Sequence, residues 1–491
     1  MVLMLIVKRI LFCLALLLLF FPLLQLYLHV FRENDLHGYY RLKDKPDFSL
    51  ITRKGWFSGE FQPDYAGRIE DHIGLRKSLF RVNNELDYRF FGLTHALGFI
   101  RGKGGNLFEE DYIQEYTGRF FIGKSTIEEK VRKLQRLQDT LASMGITLRV
   151  VLEPGKASIY PEYIPDHYNP ERTTLTNYQY FKSCMDRSSV QYLDLNSWFV
   201  RIKDTTRYPL FPKYGMHWSM YGLALAMDTL TKYLSAGIKK PLPPFRIKNV
   251  EWSDTLRSYS DNDIGDLLNL IFPLPSARNA YPDFSIDTST IRPSLKALVI
   301  ADSYYNMTIQ NHITDRLFRE QEFWYYYSKV WPDIENDQNP VYIDKSKLAD
   351  RIAKADIILL MVSEINQHCM FWGFIDEAYR AVFPKDPYTH VTDLQNRIRN
   401  EREWFRFMVK KADNNFMSLE QVISIDGDYL LANQFSQIES RTHEDSVHYM
   451  IWAIRNNPDY LRNLLGKARQ YNMPLEKIIR GEAENCLLQK K

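Results

Sequence analysis

Cysteine is scarce, with four in 491 residues, and that scarcity argues against a fold held by a disulfide framework. Cys13 falls in an apolar N-terminal run and Cys486 near the tail, which leaves Cys184 and Cys369 for the body of the chain. Their spacing does not decide whether they pair. No Cys-x2-Cys or His-Glu-x2-His spacing occurs, so no metal site is expected, and the adjacent His368 and Cys369 are expected to point different ways. A basic run interleaved with aromatics is also missing. With a formal net charge of only +3, nucleic acid is excluded as a partner class.

The first residues lack something as well. Lys8 and Arg9 precede Ile10–Val30, a stretch of 21 residues without Asp, Glu, Lys or Arg. Its exit, Leu26 to Arg32, has no small-x-small cleavage site, and Phe12 before Cys13 rules out a lipobox. About 20 apolar residues cross a bilayer. The reading is an uncleaved signal anchor over residues 1–31, a cleavable signal being the alternative. The positive-inside bias puts the rest of the chain outside the cytoplasm, on the far side of the inner membrane.

What remains is an ordinary globular composition, 45% hydrophobic and 25% charged. The 31 tyrosines and 29 phenylalanines suit either an aromatic core or a carbohydrate-facing cleft. Residues 32–105 read as a juxtamembrane connector carrying Pro46, then a helical segment. There Ile69, Ile73, Leu79, Val82, Leu86 and Phe90 recur near one face. From 106 to 380 helices alternate with short, wholly apolar strands. Thr126 with Glu129 suggests a capping box opening a helix that Gly145 ends, and strands are expected at Ile146–Leu152, Lys296–Ala301 and Asp356–Val362. Ser219 is expected to cap a helix. All-apolar strands between helices predict an α/β sheet covered on both faces. Residues 381–491 read as helical: Leu394, Ile398, Phe405 and Met408 mark one helix, Val447 to Ile454 another, and Asn457-Pro458 and Pro474 open two more.

Two short stretches carry the chemistry. Asp302-Ser303 closes the apolar run Lys296–Ala301, which puts a serine at the carboxyl end of the sheet, where α/β folds present reactive groups. Met216-His217-Trp218-Ser219 supplies a histidine, the base that a neutral serine hydroxyl needs. Ser303 and His217 are therefore the candidate catalytic pair. The Ser303 backbone N–H is the natural oxyanion donor, with Asn306 and Asn366 as side-chain candidates. Lys156, after Glu153-Pro154-Gly155, either meets an anionic substrate or lies exposed to solvent, and Tyr304 and Tyr305 either line the cleft or pack.

This order of motifs resembles the membrane-associated SGNH-hydrolase-like proteins of the alginate O-acetyltransferase AlgJ/AlgX type, the DHHW-like group. There an Asp-x-His-Trp motif precedes a Gly-Asp-Ser or Gly-Thr-Ser motif. The resemblance extends over roughly residues 60 to 370 and takes in Glu70 to Arg76, Gly102 to Phe108 and Glu153 to Lys156. It implies an SGNH-like, flavodoxin-like parallel sheet with permuted motif order. It also implies an extracytoplasmic serine O-acetyltransferase that works without a cofactor on a cell-surface or secreted polysaccharide, fed by a membrane acyltransferase of the MBOAT type. The alternatives are an esterase using the same pair and a non-catalytic polysaccharide-binding or export scaffold. The chain departs from the pattern at one position, because the motif aspartate falls at Gly215. A backbone carbonyl, or a carboxylate such as Asp204, Asp228 or Glu364, would then have to orient the imidazole. Asp302 is less suited, since consecutive side chains leaving a strand diverge.

Overall fold

The computed structural model describes residues 2–28, 30–38, 42–43, 52–59, 61–171, 174–331, 340–386 and 389–489; Pro46 lies outside them. Two compact units are present, one made of residues 1–110, 212–216 and 254–278, the other of 111–211, 217–253 and 279–491.

The first unit opens on the helix Val2–Leu28. Its window Met4–Leu26 has mean hydropathy 2.6 and is long and apolar enough to cross a membrane; it begins earlier than the run Ile10–Val30 and includes Lys8 and Arg9. At its end the Gln25 side chain donates to the Phe31 carbonyl at 2.6 Å and accepts the Phe31 N–H at 3.0 Å. The helices Phe61–His72 and Arg76–Leu86 follow. The antiparallel pair β1 (Phe99–Arg101) and β2 (Leu107–Glu109) closes over the turn at Gly102 to Gly105.

The second unit is built on six strands: β3 (Thr147–Glu153), β4 (Tyr192–Asp194), β7 (Lys296–Ala301), β8 (Glu320–Tyr325), β9 (Lys329–Val330) and β10 (Ile357–Ser363). Their order across the sheet is β4-β3-β10-β7-β8-β9. All pairs are parallel except β8–β9. This is the SGNH-like α/β fold, a mostly parallel sheet with an antiparallel edge. β10, last in sequence, lies between β3 and β7.

Both faces of the sheet are buried. Leu148, Val150, Leu152, Leu298, Ile300, Ile358 and Leu360 pack on the helices Lys124–Ser143, Asn177–Asp186 and Phe374–Val382. Val151, Val299, Leu359 and Met361, of opposite parity and so on the other face, are equally buried. A separate antiparallel pair, β5 (Phe245–Ser253) with β6 (Asn279–Ile286), has no counterpart in the sequence reading. Pro282 inside β6 and the irregular register between Ile247 and Asn249 hide its alternation.

Several local expectations change. The helix Lys124–Ser143 starts after Gly123 with no side-chain cap, so Thr126 and Glu129 form no capping box. Glu129 instead pairs with Lys133 at 2.6 Å. The helix expected around Leu394 to Met408 is two, His390–Asn400 and Arg402–Asn415, broken where Glu401 takes an extended ψ of 102°. Ile398, Phe405, Met408 and Ile423 share the sheet's own apolar core, whereas the last helices close a second one around Val447, Ile451, Leu464 and Ile479. Cys184 and Cys369 are both free thiols. His368 and Cys369 do meet, because the tight turn Glu364–Cys369 brings Sγ to 3.1 Å from Nε2.

Candidate active site

The carboxyl ends of β3, β10 and β7 form one edge, where parallel sheets present their chemistry. The chain leaves β7 at Ala301, and Ser303 takes helical dihedrals (φ −66°, ψ −18°) as the residue before the helix Tyr304–Gln310. Asn306 donates its N–H to the Ser303 carbonyl at 3.2 Å. His217 is positioned by the two residues after it. Ser219 caps the helix Met220–Gly237 by accepting the Gly222 N–H at 3.0 Å, and its hydroxyl donates to the Pro209 carbonyl at 2.7 Å. The buried Trp218 anchors the same turn. With both segments fixed, His217 Nε2 lies 2.9 Å from Ser303 Oγ. Two residues 86 positions apart in sequence thus stand at hydrogen-bond distance, the reach a general base requires.

Beneath the serine sits a carboxylate that the sequence makes look less suited. Asp302 is fully buried. Its Oδ2 accepts the Ser363 N–H at 2.9 Å, the Ser363 hydroxyl at 2.6 Å and the Asn366 amide at 2.9 Å, while Oδ1 accepts the Tyr304 N–H at 3.1 Å. Four donors hold one side chain, and that side chain ties the Ser303 turn to the end of β10. Beside it is Glu153, also fully buried, at the end of β3. Burial first, and then the neighbouring Asp302 carboxylate, push the Glu153 carboxyl well above the usual range. Of the two, only Glu153 carries a sequence signal, since it heads the stretch in which Lys156 alone draws a role.

The other site residues fall out differently. Tyr304 packs its ring 5.1 Å from the His217 ring and 5.0 Å from that of Trp218, and its hydroxyl accepts from Tyr112 at 3.0 Å. It forms the wall behind the base. Tyr305 packs in the core, bonded to Gln321 at 3.0 Å and set against Phe323. The Asn366 amide nitrogen donates to Asp302 Oδ2 at 2.9 Å and lies 3.1 Å from Ser363 Oγ, so it helps to hold the turn. Asn306, one turn beyond Ser303, keeps a buried Oδ1 with no hydrogen-bond partner among the described residues. Lys156 is not the solvent-exposed lysine of the alternative reading, because its side chain is buried at the end of β3.

Asp228 pairs with Lys232 at 2.7 Å, Asp204 is exposed after the helix Leu195–Ile202, and Glu364 accepts the Ser158 hydroxyl at 2.7 Å. Gly215 is explained by space. A Cβ there would stand 2.0 Å from the Ser260 carbonyl oxygen and 3.2 Å from Pro212, and no positive φ is involved. Next to it, the Met216 N–H donates to Asp263 Oδ1 at 2.8 Å, so a carboxylate fixes the backbone one residue before His217. Among the described residues no His, Cys, Asp or Glu group could hold a metal ion.

Residues 99–289 match the family of SGNH hydrolase-like domains of the acetyltransferase AlgX. That span includes His217 and stops short of Ser303. Among solved structures, the O-acetyltransferase domain of Pseudomonas putida AlgJ is 17% identical over 55% of this chain and 92% of its own, with a TM-score of 0.36. Pseudomonas aeruginosa AlgX is 16% identical over 57% of this chain and 65% of its own, TM-score 0.35. Bacillus cereus PatB1, in a structure with a sulfonyl adduct, is 12% identical over 50% and 92%, TM-score 0.32. No curated relative matches the sequence.

Proposed function

From a chain of the AlgJ/AlgX-type family, carrying an SGNH hydrolase-like domain over residues 99–289, we propose an extracytoplasmic O-acetyltransferase that acts on a cell-surface or secreted polysaccharide through an acetyl-Ser303 intermediate. The observation behind this reading is the 2.9 Å contact between His217 Nε2 and Ser303 Oγ at the carboxyl edge of a parallel sheet. In the first half-reaction Oγ attacks the acetyl carbonyl while Nε2 takes the hydroxyl proton, and the Ser303 N–H faces the developing oxyanion. Collapse passes that proton to the donor's leaving oxygen and leaves an ester on Ser303. A sugar hydroxyl then attacks the ester, gives its proton to His217, and departs acetylated as Oγ is reprotonated.

The N-terminal helix is read as a single-pass anchor in the cytoplasmic membrane. Acetyl-CoA is cytoplasmic, so an outward-facing enzyme needs its acetyl group delivered across the bilayer, the role assigned to an MBOAT-type partner. No cofactor is required by this scheme.

Incubating the full chain with an activated acetyl ester should add one acetyl mass to the Ser303 peptide. Ser303→Ala should abolish the adduct, and His217→Ala should slow its formation by about 10² or more, the scale of a positioned base. Label that persists in the Ser303→Ala protein removes Ser303 from the role. Adding an oligosaccharide separates transfer from hydrolysis, since a transferase moves the acetyl to the sugar and an esterase releases acetate at an unchanged rate.

A further inference from the structure

The helix Arg76–Leu86, extended by a wider turn over Asp87–Phe91, is amphipathic with its polar side turned inward. Ser78 donates its N–H and hydroxyl to Glu33 at 2.7 and 2.6 Å, and Asn84 donates to the Leu268 carbonyl at 2.8 Å. Glu85 accepts the Ile271 N–H at 3.0 Å. The apolar residues Leu79, Val82, Leu86 and Phe90, spaced to share one face, point outward; Leu86 is 51% and Phe90 76% exposed. A helix folded into water places these two sides the other way round. An exposed apolar face of this length marks a contact surface.

Its position within the unit identifies the contact. Gly74, at the corner just before the helix, lies against the apolar N-terminal helix, so close that a Cβ would stand 2.3 Å from the Pro22 carbonyl oxygen and 2.7 Å from the Leu26 nitrogen. The apolar window ends at Leu26. The outward-facing stripe therefore begins beside the point where the N-terminal helix leaves the hydrocarbon.

We propose that residues 76–91 lie flat in the outer leaflet of the membrane that the N-terminal helix spans, with Leu79, Val82, Leu86 and Phe90 sunk into the boundary between headgroups and acyl chains. The proposal rests on the anchor reading above. A span and an interfacial helix joined at a packed corner hold this unit against the bilayer at two places, so it does not swing on a connector.

The test uses the full chain, with Cys13 and Cys486 replaced by Ser, in vesicles of phosphatidylethanolamine and phosphatidylglycerol. Single nitroxides are placed by Leu16→Cys, Leu86→Cys, Phe90→Cys or Lys232→Cys, and collisions with oxygen and with a water-soluble nickel chelate are compared. Positions 86 and 90 should show an oxygen-to-nickel ratio at least about fivefold above the exposed position 232. Nickel-accessible labels at 86 and 90, with position 16 in lipid, overturn the interfacial helix and leave the anchor intact. Nickel access at position 16 overturns the anchor itself. Labels at 86 and 90 shielded from both reagents overturn the proposal in favour of protein cover, and dipolar broadening that grows with protein content identifies a second copy as that cover.

Discussion

At Gly215 the missing aspartate of the motif has a steric cause. The site 2.0 Å from the Ser260 carbonyl has no room for any side chain, so Gly215→Asp should not raise acetyl-ester turnover. It should instead lower stability by about 2 kcal/mol or more, because backbone has to move. Turnover and denaturation midpoint, measured on the same preparation, check this; a gain of tenfold in turnover without loss of stability would contradict it. Glu153 gives a second residue-level expectation. Its folded pKa lies above its unfolded value, so the native state holds a proton that the unfolded chain loses as pH rises past about 4.5. Native stability is drained progressively over that window. Glu153→Gln removes the titration, and its stability relative to the parent should climb with pH from about 4.5 upward. A difference that stays flat with pH would show that Glu153 is ionised in the folded protein.

Elements carry pH dependences of opposite sign through two histidines. In the turn Glu364–Cys369, burial lowers the His368 pKa to about 4, and its ring stacks on Phe405 at 4.1 Å. A depressed pKa means that stability is present above the unfolded value of about 6.5 and is lost as pH falls through 4, on the order of 3 kcal/mol. In the helix His443–Arg455, His448 is raised to about 9: burial lowers its pKa, and hydrogen bonds to Asp428 at 2.6 Å and to Glu444 more than offset that. That contribution is complete below 6.5 and is lost as pH rises through 9. Denaturant titrations across pH should show His368→Asn flattening the acid limb and His448→Gln the alkaline limb, each leaving the other unchanged.

Legibility in the sequence also varies by element. β7 reads with its observed ends because an unbroken apolar run stops at Asp302. Ser219 and Asn457 read as caps because their hydroxyl and amide chemistry acts locally. The Arg76–Leu86 helix is legible in its period but not in the direction it faces, since a period gives no information about what lies outside. The Asp302 network is not legible, because its donors arrive from β10, some sixty residues later.

For the whole molecule, the order of the strands across the sheet matters as much as their number. β3 and β7 are both in place by residue 301, yet neither pairs with the other, since the gap between them belongs to β10. The donors that fix Asp302 arrive with the same strand. During synthesis the chain emerges from its N-terminus, so for more than fifty residues after Ser303 has appeared the sheet exists as two halves, each with a bare edge. Bare edges template pairing with other chains. A product ending at residue 355 should therefore aggregate rather than form a smaller soluble domain, as sedimentation of the expressed fragment would show. Until the strand at the middle of the sheet is delivered, the nascent chain carries Ser303 and His217 without the donors that hold the Ser303 turn, so that turn is fixed only once β10 has joined.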